Sequence, residues 1–205
     1  MTNPAARARP VTAPAHRYRI GSLFTGVGGL DLAALQLFPD ATLAWHCEND
    51  AAARAVLARH WPDVPNLGDI TGVDWRTVAP IDVLTAGFPC QDVSSAGRRR
   101  GLGPGTRSGL WAHVVAAIDI LRPEWVLIEN VRGLLHAPVR PLEPHSRTVE
   151  DPRPAGRAFG AVLGDLAERG MDACWTVLRA ADVGACHPRA RVFVLAYPAR
   201  PQPPR

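Results

Sequence analysis

Short apolar runs alternate with amphipathic stretches along most of the chain. The runs, bounded by glycine, proline or polar residues, predict strands at 18–24, 42–46, 81–86, 125–129, 174–178 and 192–197. Apolar residues at helical spacing predict helices at about 30–37, 50–60, 108–121 and 157–169, the second of them with Asp50 as its N-cap. Strands that alternate with helices predict an α/β fold, in which helices cover both faces of a mostly parallel sheet.

Proline and arginine mark the segments outside this pattern. Residues 1–17 hold arginines and prolines but no acid, and predict a loose basic tail. Residues 137–154 contain five prolines and little apolar matter, which predicts an extended or disordered insertion. Residues 198–205 predict a second tail, and residues 66–70 a short strand or loop. One domain between the tails accounts for the remaining pattern.

Composition narrows the class of protein. The 205 residues are 47% hydrophobic and 20% charged, which is typical of a globular domain. No apolar stretch approaches the roughly 20 residues of a membrane helix, and the N-terminus has no apolar signal core. The four cysteines show neither zinc spacing nor a Cys-x-x-Cys pair, which favours a reduced cytoplasm and no metal site. The net charge of +4 is compatible with a polyanionic partner without requiring one.

The tetrapeptide Phe88-Pro89-Cys90-Gln91 directly follows the apolar run at 81–87. It places a thiol on the loop that leaves a buried strand, and open α/β sheets carry their chemistry at that end of the strands. The next residues, 92–109, are polar and rich in glycine and arginine, as in a mobile lid that can touch phosphate. A cysteine at a loop start is nevertheless more often a small buried residue than a nucleophile.

The glycines at 26, 28 and 29 follow the first predicted strand, where they let the backbone approach a ligand at a helix N-terminus. Their Gly-x-Gly-Gly pattern is not the six-residue dinucleotide fingerprint. Glu48 closes the second strand, where an acid commonly binds a ribose diol; a solvated strand-end charge is the alternative. Asp69 suits an adenine amino group with Ile70 against the ring, or equally a simple turn.

Glu129 ends the strand at 125–129, which places it at the same sheet edge as Cys90 if both strands are parallel. A buried acid there can hold or donate a proton, although a structural acid bonded to backbone amides is at least as common. Arg189 and Arg191 precede the last strand and point to one side if the segment is extended. A charged strand entrance is the alternative reading of this pair.

Together these residues resemble the cytosine carbon-5 DNA methyltransferase family. The resemblance rests on Leu23-Phe24-Thr25-Gly26-Val27-Gly28-Gly29-Leu30, Gly87-Phe88-Pro89-Cys90-Gln91, Glu129-Asn130-Val131 and Gly184-Ala185-Cys186-His187-Pro188-Arg189-Ala190-Arg191-Val192-Phe193. The motifs agree in order and spacing over residues 18–197, which form the expected catalytic domain. The resemblance implies a Rossmann-like S-adenosylmethionine-dependent methyltransferase fold, with double-stranded DNA as the substrate.

The family's roles carry over onto the matching positions. S-adenosylmethionine would be bound by Phe24, Gly26, Gly28, Gly29, Glu48, Asp69, Ile70, Pro89 and Leu110. Cys90 would attack carbon 6 of a flipped cytosine, Glu129 would hold its N3 and exocyclic amine, and Arg189 would donate to its O2. Arg191 would support Cys90 or the lid. The DNA would be contacted by Gln91, Ser94, Arg98, Arg99, Arg100 and Asn130.

Several positions depart from the family pattern. His187 stands where glutamine is usual, and Asn49 stands where an aromatic residue often stacks on the cofactor. The target-recognition domain that family members carry after the last matching motif is absent from these 205 residues. We therefore expect a catalytic subunit or fragment that works with a second polypeptide. An RNA (transfer RNA) cytosine-5 methyltransferase and an inactive cofactor- or nucleic-acid-binding remnant are the alternatives.

Overall fold

The computed structural model describes residues 17–89, 110–136 and 158–199. These residues form six strands and four α-helices, close to the positions that the apolar pattern predicts. The strands are β1 (Arg19–Leu23), β2 (Thr42–Cys47), β3 (Val83–Ala86), β4 (Trp125–Val131), β5 (Met171–Arg179) and β6 (Ala190–Pro198). The helices are α1 (Gly29–Leu37), α2 (Ala51–His60), α3 (Leu110–Leu121) and α4 (Ala158–Glu168).

The strands form one mostly parallel sheet in the order β2-β1-β3-β4-β6-β5. The first four strands along the chain pair in parallel, whereas β6 runs antiparallel to both of its neighbours, β4 and β5. The carboxyl ends of β1, β3 and β4 therefore meet the amino end of β6 at one edge of the sheet. This edge carries the candidate site.

Strand bounds differ from the predicted ones where pairing, not hydrophobicity, decides them. β5 and β6 pair over nine residues each, from Met171 opposite Pro198 to Arg179 opposite Ala190. The ladder draws Asp172 into the sheet, so β5 begins three residues before the predicted Cys174. It also takes β6 through Pro198, one residue into the predicted tail. The segment at 66–70 forms an isolated bridge between Asn66 and His46 instead of a strand.

Each face of the sheet has its own apolar core. Leu84, Val126 and Val194 face Val114 of α3 and Val162 of α4 in the larger cluster. On the other face, a smaller apolar cluster packs α1 against the sheet. Its buried residues are Ile20, Ala34, Phe38, Val83 and Leu127. The prediction of helices on both faces is confirmed.

Local sequence signals explain where two of the helices begin. Asp50 caps α2, since its Oδ1 accepts a hydrogen bond from the backbone N–H of Ala53 at 2.8 Å. α1 starts behind Gly28, which has a left-handed backbone and provides no side-chain cap. In the part of the chain that the structure describes, no helix has the length and hydrophobicity needed to cross a membrane.

Candidate active site at the carboxyl edge of the sheet

The turn between β1 and α1 is strained and tightly backed. Phe24, Gly26 and Gly28 all have positive φ, at 53°, 56° and 87°. Positive φ is costly for a residue with a side chain, here Phe24, and is readily adopted by glycine. Behind the turn, the ring of Trp61 lies so close to Gly28 that a Cβ there would stand 2.6 Å from it, whereas Gly26 faces open space. The turn is therefore braced on one side and open on the other.

Glu48 fastens this turn to the end of β2. Its Oε2 accepts a hydrogen bond from the backbone N–H of Gly26 at 2.8 Å, and its Oε1 accepts one from Asp50 at 2.8 Å. The residue is only 9% exposed. Since each carboxylate oxygen can accept more than one hydrogen bond, the side chain keeps acceptor capacity for a ligand hydroxyl. The structure thus brings the predicted ribose-binding acid to the predicted glycine turn.

Asp69 and Ile70 lie beside this acid at the start of a short 3₁₀ turn (Ile70–Gly72). Asp69 Oδ1 accepts hydrogen bonds from the backbone N–H and hydroxyl of Thr71, and Oδ2 accepts a longer one, 3.4 Å, from the side chain of Asn49. These bonds, those from Thr71 first, lower the pKa of Asp69. Its carboxylate is exposed and remains ionised, while Ile70 is 5% exposed and belongs to the core.

Glu129 and Arg191 form an ion pair at the edge shared by β4 and β6. The distance from Arg191 Nε to Glu129 Oε1 is 2.7 Å, and the two side chains are 21% and 29% exposed. The register explains the contact, because Arg191 pairs with Val131, two residues beyond Glu129 on the same face. Glu129 is thus less buried than the sequence suggested. Besides this ion pair, Arg191 donates from Nη1 to the carbonyl of Ala190 at 2.9 Å.

The other predicted arginine has a different environment. Arg189 lies just before β6, where its carbonyl accepts a hydrogen bond from the backbone N–H of Ala180 at 2.8 Å, and it is exposed. The two arginines therefore differ in their surroundings, and only Arg191 contacts a predicted catalytic residue within the described chain.

Asn130, for which the family resemblance implied a contact with DNA, lies inside the fold. It is 2% exposed. Its side-chain amide donates to the carbonyl of Phe88 at 3.0 Å, and its Oδ1 accepts from the backbone N–H of Val131 at 2.8 Å. These contacts make Asn130 an anchor for the segment that leads into Pro89. Its contact with DNA stays a prediction.

A cavity of about 410 Å³ joins the glycine turn to the acid on β4. Its walls include Phe24, Gly29, Gly87, Glu129 and Phe193. A cavity of this size is within the usual range for small-molecule sites. It brings one predicted catalytic residue together with two predicted cofactor residues. Gly26, Gly28, Glu48 and Asp69 are not among its lining residues.

The remaining predicted residues are placed only in part. Cys90, Gln91, Ser94, Arg98, Arg99 and Arg100 lie outside the described residues, as does the insertion predicted at 137–154. Pro89 is half-buried at the end of the described segment, and Leu110 is half-buried at the start of α3, packed against the main core. In the described ranges, no group of three or more potential ligand side chains is arranged to hold a metal ion.

Sequence reasoning missed two polar supports near the turn. Asp31 in α1 is fully buried; its Oδ1 accepts from the hydroxyl of Thr85 at 2.8 Å, and its Oδ2 lies 3.6 Å from Nδ1 of His46. Asn66 accepts two backbone hydrogen bonds through its side-chain oxygen. An acid among the apolar residues at the start of α1 was a signal for the first. For the second, the Asn-x-Gly spacing at 66–68 indicates the turn but not the bond to Glu48.

Comparison with known proteins adds an independent finding. A family model described as C-5 cytosine-specific DNA methylase matches residues 18–202. The type II methyltransferase M.NlaIV of Neisseria lactamica is 33% identical over 177 residues, which cover 84% of this chain and 39% of the relative. The type II methyltransferase M2.BsuMI of Bacillus subtilis is 33% identical over 182 residues, which cover 87% of this chain and 41% of the relative.

Solved structures agree with the fold. The S. pombe Dnmt2 methyltransferase superposes with a TM-score of 0.66 at 19% identity, over 91% of this chain and 53% of that one. The Entamoeba histolytica methyltransferase EhMeth gives a TM-score of 0.64 at 15% identity, over 92% of this chain and 55% of that one. At these identities the likeness concerns the fold. This chain spans about two fifths of the length of the two sequence relatives and about half of the two structures.

Proposed function

Since this chain belongs to the C-5 cytosine-specific DNA methylase family, we propose that it carries the catalytic residues of an enzyme that methylates carbon 5 of cytosine in double-stranded DNA. The observation that carries the proposal is the cavity between the glycine turn and Glu129, because it puts a cofactor cradle beside a base-binding acid. Conversely, an acid on a different edge of the sheet would leave the matched motifs without a common site.

The residues around the turn fit S-adenosylmethionine. Gly26 faces open space that a Cβ would occupy. The uncapped N-terminus of α1 offers positive electrostatic potential to a ligand carboxylate, and Glu48 retains acceptor capacity for a ribose hydroxyl. Phe24, Gly28, Gly29, Asp69, Ile70, Pro89 and Leu110 complete the proposed set. The bound cofactor would supply an electrophilic methyl group, and the protein residues prepare the base to accept it.

The protein's part of the reaction is to make carbon 5 nucleophilic. The Cys90 thiolate adds to carbon 6 of the flipped cytosine, so that a carbon–sulfur bond forms, the double bond between carbons 5 and 6 opens, and its electron pair moves onto carbon 5 and the ring. Glu129 holds N3 and the exocyclic amine, and a proton at N3 neutralises the developing charge. After methyl transfer, loss of the proton on carbon 5 expels the thiolate and restores the double bond.

Two arginines would serve this step differently. Arg191, paired with Glu129 Oε1, fixes the carboxylate so that Oε2 is left for the base. Arg189, exposed at the same edge, would donate to the cytosine O2. The DNA contacts proposed for Gln91, Ser94, Arg98, Arg99 and Arg100 stay predictions.

The biological setting is proposed from the relatives. Their names, type II methyltransferases, favour DNA as substrate and a role in restriction-modification for this chain. A cytoplasmic location stays a prediction from the sequence. The second polypeptide expected from the sequence has no support in the comparisons and remains a hypothesis.

The test is transfer of a labelled methyl group to varied duplex DNA. We expect Cys90→Ser to abolish transfer and to leave binding of S-adenosylhomocysteine within about twofold, because only the covalent step needs the thiolate. Cys174→Ser is the matched control, since Cys174 is an exposed free cysteine on β5. Unchanged turnover in Cys90→Ser would refute the covalent mechanism. Transfer to transfer RNA alone would favour the RNA enzyme.

A further inference from the structure

Asn66 connects two segments that approach the proposed cofactor site from different directions. It lies in the chain between α2 and the 3₁₀ turn at Ile70, where it forms an isolated parallel bridge with His46 of β2. Backbone hydrogen bonds from His46 N to Pro65 O, 2.9 Å, and from Leu67 N to His46 O, 2.8 Å, hold this bridge. Its side chain is therefore fixed beside the carboxyl end of β2.

A single oxygen of Asn66 makes the connection. Its Oδ1 accepts hydrogen bonds from the backbone N–H of Glu48 at 3.2 Å and from that of Gly68 at 2.9 Å. The second bond closes a turn two residues long, after which Gly68 has a positive φ of 78°. The side-chain nitrogen Nδ2, in contrast, is buried without a hydrogen-bond partner among the described residues. Among the described residues, the side-chain contacts of Asn66 are therefore made by its oxygen and not by its nitrogen.

The two amides belong to the residues that bracket the nucleoside end of the proposed site. Glu48 carries the carboxylate that fastens the glycine turn, and Gly68 immediately precedes Asp69. The thiol of Cys47 donates to the carbonyl of Gly68 at 3.3 Å and reinforces the same junction. This oxygen therefore ties the backbone of Glu48 to the turn that leads into Asp69.

We propose that Asn66 is a positioning residue, which sets the distance between Glu48 and Asp69 and thereby the affinity for the nucleoside half of S-adenosylmethionine. The inference rests on the proposed function, because it names a support for that cofactor site. Asn66 touches neither the base nor the methyl group, so its effect reaches the ligand through Glu48 and Gly68.

The experiment compares Asn66→Ala with Asn66→Asp in the full chain. Alanine removes the acceptor and leaves two amides unpaired, whereas aspartate keeps an acceptor at the same position and replaces the partnerless nitrogen with a second, negatively charged oxygen. By calorimetry, we expect the alanine variant to bind S-adenosylhomocysteine about tenfold more weakly and the aspartate variant to stay within about threefold of the parent. Salt near 0.5 M weakens the repulsion between the added charge and the exposed carboxylate of Asp69.

Two further readouts separate positioning from general damage. 5′-Methylthioadenosine, which lacks the amino-acid half, should lose affinity by the same factor as S-adenosylhomocysteine. Amide hydrogen exchange should accelerate at Glu48 and Gly68 in Asn66→Ala but not in Asn66→Asp. A merely structural role would instead lower the melting temperature of Asn66→Ala and leave its affinity for both ligands unchanged.

The outcomes are distinct. Equal affinity of parent and Asn66→Ala, or an aspartate variant as weak as the alanine one, would overturn the positioning role alone. If the alanine variant does not fold, a loss of tenfold or more in Asn66→Asp would still overturn it. A parent that binds neither ligand would instead overturn the proposed cofactor site, and this inference with it.

Discussion

Arg191 determines how the Glu129 carboxylate presents itself to a base. The pair is partly exposed, so it should contribute little to stability, at most about 1 kcal/mol. Its value lies in orientation, because an acid that must hold a ring nitrogen works only in one geometry.

We expect Arg191→Met to lower the rate of methyl transfer by about 10- to 100-fold, since the freed carboxylate can rotate away from the base. Binding of S-adenosylhomocysteine and the melting temperature should change little. Single-turnover assays measure the rate. Arg191→Lys keeps the charge without the planar fork, so its rate should lie between those of the parent and Arg191→Met. An Arg191→Met variant at the parent rate would show that Glu129 needs no such partner.

For individual residues, the sequence predicted which residues belong to the candidate site better than it predicted the partners they contact. Glu129 and the glycines could be predicted because each stands at the end of an apolar run. The partner of Arg191 could not, since it depends on a register with β4 that only the folded sheet defines. The long-range partners of Asn130 and Asn66 could not be predicted either. Phe88 and Glu48 are 42 and 18 residues away in the chain, so only the fold brings them together.

At the scale of secondary-structure elements, the turn before α1 packs against the segment that follows α2. Trp61 ends α2 and packs its ring against Gly28, while the imidazole of His46 lies 5.6 Å from the same indole. The Trp61 ring therefore packs against the turn before α1, and a side chain at position 28 would have to displace this ring.

We expect Gly28→Ala to reduce the free energy of unfolding by about 2–4 kcal/mol, combining left-handed strain with overpacking against Trp61. Gly26→Ala is the control, because it has similar strain but open space around the new methyl group. It should cost about 1–2 kcal/mol. Urea denaturation gives both values. Equal losses would mean that Trp61 yields without cost.

Element positions followed from apolar periodicity, and element lengths did not. The core residues of β3 and β4 are nearly continuous apolar runs, so their existence was evident. β5 is mostly exposed, and hydrogen bonds to β6 extend it over polar positions. Because backbone pairing is blind to side-chain polarity, a pattern of hydrophobicity underestimates such a strand.

For the molecule as a whole, the alkaline limit of stability should reflect Cys47. Burial, and then the nearby carboxylates of Asp69 and Glu48, raise the pKa of this thiol to about 12. A folded pKa above the unfolded value stabilises the protein below about pH 9, and this contribution is lost as the pH rises toward 12. The sequence contains no lysine, so few other groups titrate in that range.

We expect the free energy of unfolding to fall by about 1.5 kcal/mol more in the parent than in Cys47→Ala between pH 9 and 10.5. Denaturation curves at several pH values measure this difference, and the shared thiols and tyrosines cancel in the comparison. Parallel curves would indicate that Cys47 ionises as readily in the folded state as in the unfolded one.

The reversed direction of β6 has a practical consequence for work on this protein. β1 begins at Arg19 and β6 ends at Pro198, and both points lie on the rim of the sheet away from Glu129. Along strands of this length the separation is on the order of 15–20 Å. A fluorophore or sensor-chip linkage attached beside Arg17 or Ala199 would therefore leave the mouth of the cavity facing solution.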